Sequence, residues 1–128
     1  MRFLISICLF VVVLSCKEKS TTPRVEIISV EEMREVLKAE SVQLIDVRTR
    51  NEYAANHIKD SKNIVYQGDD WEEQIAKLDK EKPVYVYCQK GGRSAKCAAL
   101  LEEAGFEKVY DLEGGISQWI AQGNTVEE

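Results

Sequence analysis

Short apolar runs rich in β-branched and aromatic residues alternate along this chain with amphipathic helical segments, and this alternation constrains the fold most. Val25-Glu26-Ile27-Ile28 reads as a strand. Ser29 and Glu32 then form a capping box for a helix that places Met33, Val36 and Leu37 on one face. Gln43-Leu44-Ile45-Asp46-Val47 reads as a second strand, followed by a short helix around Glu52 to Asn56. Ile64-Val65 is a brief apolar run, Trp71 to Leu78 a helix, and Pro83 opens the strand Val84-Tyr85-Val86-Tyr87. Ser94 to Ala104 reads as a helix stopped by Gly105, Lys108-Val109-Tyr110 as a last strand and Ile116 to Gln122 as a last helix. Runs that are apolar throughout belong to strands buried on both faces. The expected class is therefore α/β, a mainly parallel sheet with helices on both faces. Such sheets bind ligands beyond the carboxyl ends of their strands.

The 128 residues suffice for one domain, expected over 25–123 with a C-terminal tail over 124–128. Before it, Met1-Arg2 and the apolar stretch Phe3 to Leu14 are too short to span a bilayer and fit a signal peptide over 1–15. Val13-Leu14-Ser15-Cys16 resembles the bacterial lipobox, which implies a lipidated Cys16 and a polar tether over 16–24. The expected location is the cell envelope, the domain held to a membrane by N-terminal lipid and facing the periplasm or outward. A net charge of −5, one unit more negative once Arg2 is removed, gives no general attraction to nucleic acid. Any anion site must be local.

With Cys8 in the leader and Cys16 acylated, Cys88 and Cys97 remain, nine residues apart across a loop and helix, and are expected as free thiols. Cys88 ends the central apolar strand, and Gln89, Lys90, Gly91, Gly92 and Arg93 lead into the next helix. Glycines let such a loop curl with its amides inward, as an anion-binding nest. Lys90 and Arg93 add charge, and no acidic residue occurs from Pro83 to Leu101. Helix N-termini and cations lower a thiol's pKa, so Cys88 is expected as a thiolate nucleophile, its sulfur ringed by amides and open to solvent. Sealing of that sulfur in the core would count against the reading. Cys97, among small residues on a helix, reads as a compact hydrophobe. His57 has no partner at ligand spacing and no metal site is expected. It reads as a turn histidine, the tryptophans as packing residues, and Glu127-Glu128 as solvated charge.

These residues resemble the rhodanese-like domains. The resemblance lies in Leu44-Ile45-Asp46-Val47-Arg48 with Glu52-Tyr53, His57-Ile58 and Asn63-Ile64, in Cys88 to Ser94, and in Leu112-Glu113-Gly114-Gly115-Ile116 with Trp119. It implies a central five-stranded sheet and a sulfurtransferase that carries sulfur as a Cys88 persulfide, with no separate cofactor. The implied partners are a small sulfur-donor anion such as thiosulfate and a thiol or cyanide acceptor, on a monomeric domain. Gln89 to Arg93 would bind the persulfide, with Asp46 and Arg48 in support. Arg93 either contacts substrate or braces the loop against Asp46 or another carboxylate, and Arg48 is open to the same two readings. Asn56 stands where the family usually has glycine, and Gln89 where active members often have arginine. Related phosphatases place five residues between cysteine and arginine; here there are four, a ring too tight for a phosphate ester. Arsenate reduction is a further alternative. So is a non-catalytic sulfur carrier or docking module.

Overall fold

Val25–Ile28 (β1) ends at Ser29, whose hydroxyl accepts from the Glu32 amide while the Glu32 carboxylate accepts from the Ser29 amide. This reciprocal cap starts Val30–Val36 (α1). The chain continues through Gln43–Asp46 (β2), Arg50–Ala55 (α2), Lys62–Asn63 (β3), Trp71–Ala76 (α3), Val84–Tyr87 (β4), Gly92–Glu103 (α4), Val109–Leu112 (β5) and Gly115–Ala121 (α5). This computed structural model describes residues 23–128. The leader and Cys16 lie outside the described residues. No helix among the described residues is long and apolar enough to cross a membrane.

The strands form one sheet in the order β1-β5-β4-β2-β3, and every ladder is parallel. Side chains of a strand point alternately to the two faces, and β4 shows what that does. Val84, Val86 and the following Cys88 pack with Cys97, Ala98 and Leu101 of α4 and Ile75 of α3. Tyr85 and Tyr87 turn the other way, toward Met33 of α1 and Ile116 and Trp119 of α5. Helices thus cover both faces, as the alternation of elements predicts. The fully buried Tyr87 hydroxyl is paired, accepting from the Ile58 amide at 3.0 Å and bonding to Ser61 Oγ at 2.9 Å.

Four local readings need correction. α2 starts at Arg50 because Thr49 caps it, its hydroxyl accepting from the Glu52 amide at 3.2 Å. The edge strand is Lys62–Asn63 rather than Ile64-Val65; Ile64 instead drops into the core with 1% exposure. α4 begins at Gly92, two residues before Ser94, because the left-handed Gly91 turns the chain directly into it. The exposed Glu127 is not merely solvated: its backbone forms an antiparallel bridge with His57, both bonds at 2.8 Å, and its carboxylate lies 3.6 Å from His57 Nε2.

Candidate active site

Cys88 is the first residue beyond β4, at the carboxyl end of the sheet and beside the start of α4. Gly91, the residue before that helix, has φ 117°, a conformation that costs a side-chain-bearing residue about 1–2 kcal/mol and glycine nothing. It aims the Gly91 amide at the Cys88 sulfur, which accepts at 3.0 Å. Ser94 Oγ lies 3.4 Å from the same sulfur and donates to the Gly91 carbonyl at 3.2 Å. Burial alone would push the thiol's pKa up. The Ser94 hydroxyl and the amides of Ser94, Gly91 and Lys90 outweigh it, and the thiol lies below its ordinary value.

Of the loop amides, that of Gly91 turns inward and donates to the sulfur. Solvent access does not follow: Cys88 is only 1% exposed, against the expectation of an open sulfur. The same inward turn of the amides that binds the sulfur lays the loop over it. The cover is thin, however. Lys90 and Gly92 are exposed, and a Cβ built on Gly91 or Gly92 would meet nothing within 4 Å.

Arg93 is engaged by a carboxylate and not by the sulfur. Its two terminal nitrogens donate to the two carboxylate oxygens of Glu52 at 2.7 and 2.8 Å, a bidentate pair joining α4 to α2. Arg93 so holds the Glu52 carboxyl at about 2, well below its ordinary value, with burial opposing and Thr49 assisting. Of the two readings of Arg93 the resting arrangement is the brace, with Glu52 rather than Asp46 as partner.

Arg48 is buried at 1% exposure and is likewise a brace. Its side chain meets the Asp46 carboxylate at 2.8 to 3.1 Å, and its backbone amide donates to Asp46 Oδ1 at 2.9 Å. Its remaining donors reach the Asn56 carbonyl at 2.6 Å and Gln89 Oε1 at 3.1 Å. Gln89 Nε2 then donates to Ser117 Oγ of α5 at 2.9 Å. The Gln89 side-chain amide is thus clamped between Arg48, just beyond β2, and Ser117 of α5. Asn56, in place of the family's glycine, has φ −165°, extended backbone that any residue adopts.

Sequence reasoning missed the role of α5. Ile116 and Ser117 donate their amides to the carbonyls of Cys88 and Gln89 at 2.9 and 3.1 Å. Gly115, at φ 60°, permits the approach: a Cβ there would stand 2.4 Å from the Cys88 carbonyl oxygen. The Gly-Gly pair was visible in sequence, but not which loop it meets. Glu52, Ser94 and Ser117 were also missed as site residues. Cys97 is fully buried, and burial, Asp111 and Cys88 raise its thiol. His57 stacks on Tyr53 at 3.9 Å and its Nδ1 lies 2.9 Å from the Tyr53 carbonyl, apart from the sulfur. Among the described residues no group of three or more His, Cys, Asp or Glu side chains could hold a metal ion. A concavity of about 660 Å³ lined by Arg34, Leu37, Ile58 and Trp119 also includes Ser41 and Val42, which precede β2, so it lies toward the other end of the sheet from Cys88.

Comparison with known proteins places this geometry. The pattern of the Rhodanese-like domain matches residues 29–122. The chain is 34% identical over 92 residues to the thiosulfate sulfurtransferase GlpE of Shewanella oneidensis, covering 72% of this chain and 89% of that protein. It is 38% identical over 91 residues to GlpE of Coxiella burnetii, covering 71% and 83%. The match to the uncharacterised YqhL of Bacillus subtilis, 38% identical over 77 residues, spans 60% of each chain. Among solved structures, a rhodanese-related protein from Thermoplasma volcanium superposes with a TM-score of 0.70 at 31% identity, covering 80% of this chain and 97% of that one.

Proposed function

This chain belongs to the rhodanese-like domain family, and from that premise we propose that it is a sulfurtransferase in which Cys88 carries the sulfur. The observation that supports this is one sulfur met by two groups, the Gly91 amide, which donates to it at 3.0 Å, and the Ser94 hydroxyl, which accepts from the thiol at 3.4 Å. In the first step the Cys88 thiolate attacks the outer sulfur of a donor such as thiosulfate. The donor's S–S bond breaks, sulfite leaves with the electron pair, and a persulfide anion rests among the loop amides. In the second step a thiolate or cyanide attacks the outer sulfur, and the Cys88 thiolate is regenerated. Total charge is conserved in both steps, and no proton is required. Lys90, exposed at the loop's crest, would draw a small anionic donor.

Mass spectrometry of the reductant-free protein after thiosulfate treatment tests this. A gain of one sulfur atom, lost in Cys88→Ser, is expected; no gain on the wild type overturns it. The 1% exposure of Cys88 favours a second reading, a carrier or docking module with slow turnover. Under that reading a donor reaches the sulfur only rarely, so persulfide forms over many hours rather than within the assay. A phosphatase or arsenate reductase is less well supported, since the Arg93 fork is already occupied by Glu52. Attachment to the cell envelope through a lipidated Cys16 is part of the proposal. Palmitate labelling of cells, expected to vanish in Cys16→Ala, tests it, and labelling retained in the variant refutes it.

A further inference from the structure

Most of the cations around the thiol loop are already paired, and the pairing bears on what the loop can receive. Arg48 meets the Asp46 carboxylate at 2.8 Å, both side chains buried. Arg93 meets Glu52 at 2.7 Å. Arg50, the next cation beyond β2, lies 3.3 Å from Asp70. A cation held against a carboxylate presents little net charge to a third ion. Gln89 adds no charge, and both ends of its side-chain amide are engaged. A guanidinium can only donate, so Arg48 fixes Gln89 Oε1 toward itself at 3.1 Å and turns Nε2 toward Ser117 Oγ at 2.9 Å. From Gln89 to Arg93 this leaves Lys90 as the cation without a carboxylate partner among the described residues. Glu113, exposed just beyond β5, puts a further carboxylate at the same end of the sheet.

We infer that the site selects a sulfane donor that carries a single negative charge and one organic group, in preference to the thiosulfate dianion. The inference rests on Cys88 being the sulfur carrier and says which donors suit it. Thiosulfate brings two negative charges to a thiolate, against the single positive charge of Lys90. A thiosulfonate, R–SO2–S−, has carbon in place of one oxyanion and brings only one. In its reaction the Cys88 thiolate bonds to the terminal sulfur, the bond from that sulfur to the sulfonyl sulfur breaks, and a sulfinate leaves with the electron pair. Two negative charges stand on each side of the reaction, and no proton moves. The organic group has room, since a Cβ built on Gly91 or Gly92 meets nothing within 4 Å and the outer side of the loop is open there. The Gly91 amide, 3.0 Å from the sulfur, acts on both donors alike. Discrimination therefore falls to the side-chain charges.

Methanethiosulfonate and thiosulfate are nearly the same size and differ by one charge, so they serve as the probes. The rate of sulfur gain on Cys88 is followed with each by mass spectrometry of the reductant-free protein. Each rate is divided by that of free β-mercaptoethanol thiolate with the same donor at the same ionic strength, which removes the difference in leaving groups. After this correction a preference of about tenfold for methanethiosulfonate is expected, the scale of one added charge at close range in a partly screened site. Parity, or a preference for thiosulfate, overturns the inference. Glu52→Gln releases Arg93, and should raise the thiosulfate rate several-fold while changing the methanethiosulfonate rate less. An unchanged preference in that variant, on protein whose circular dichroism matches the wild type, also overturns the inference. Should Glu52→Gln not fold, the wild-type ratio still decides. Sulfur gained from neither donor sinks the transferase reading itself, whereas sulfur gained faster from thiosulfate sinks this inference alone.

Discussion

Glu52 and Arg93 are 41 positions apart and meet through a bidentate pair, which ties the thiol loop's helix to α2. The Glu52 carboxyl is held at about 2 in the folded chain, below its ordinary 4.5. A depressed carboxyl contributes stability that is present above the unfolded value and is lost as pH falls toward the folded one. The wild type should therefore exceed Glu52→Gln in stability by a constant amount above pH 5, the difference shrinking between 4.5 and 2. Because the pair is about one-third exposed, the plateau should be modest, roughly 0.5–1 kcal/mol in urea unfolding curves. A difference that grows on acidification would refute the assignment.

At the scale of elements, the first turn of α5 fixes the backbone of the thiol loop. Gly115→Ala puts a methyl 2.4 Å from the Cys88 carbonyl oxygen and 2.6 Å from that of Gln89, both backbone atoms, at φ 60°. In Gly114→Ala the methyl meets Gln118 Cβ at 2.5 Å, an atom fixed by the α5 backbone, at φ 71°. Each should cost about 2–4 kcal/mol, but only the first, which displaces the carbonyls of the thiol loop, should slow Cys88 alkylation. Equal effects of the two on alkylation would contradict the role given to α5. The elements themselves were largely legible, because buried parallel strands leave apolar runs such as Val84 to Tyr87 and helices leave caps such as Ser29 with Glu32. The Thr49-x-x-Glu52 cap carried the same signal and was overlooked. The two-residue Lys62–Asn63 edge left none, since neither side chain is apolar. In the site, the cysteine and its glycines could be read locally. The partners Glu52 and Ser117 could not, because only the packing of distant elements brings them to the loop.

For the molecule as a whole, residues 124–128 close the fold rather than trail from it. The Trp119 indole donates to the Thr125 carbonyl at 2.9 Å, the Asn124 amide group donates to the Trp119 carbonyl at 3.0 Å, and Val126 packs on the α1/α5 side of the sheet. Deleting 124–128 leaves a largely buried indole without its acceptor, so the loss should be about 1–3 kcal/mol. At roughly 4–8 °C per kcal/mol for a domain of this size, calorimetry should show a clear fall in Tm. An unchanged Tm would mean that these contacts contribute nothing.

The alternation along β4 reaches further than packing. Tyr87 and Cys88 are consecutive and face opposite layers of helices. A chain that paired this strand one position out of step would exchange a phenol for a thiol in each layer, leaving the Cys88 thiol among α1 and α5 with no amides around it. The surroundings of that sulfur are consequently decided while the sheet assembles, and a misaligned copy would lack them however well its loop were written.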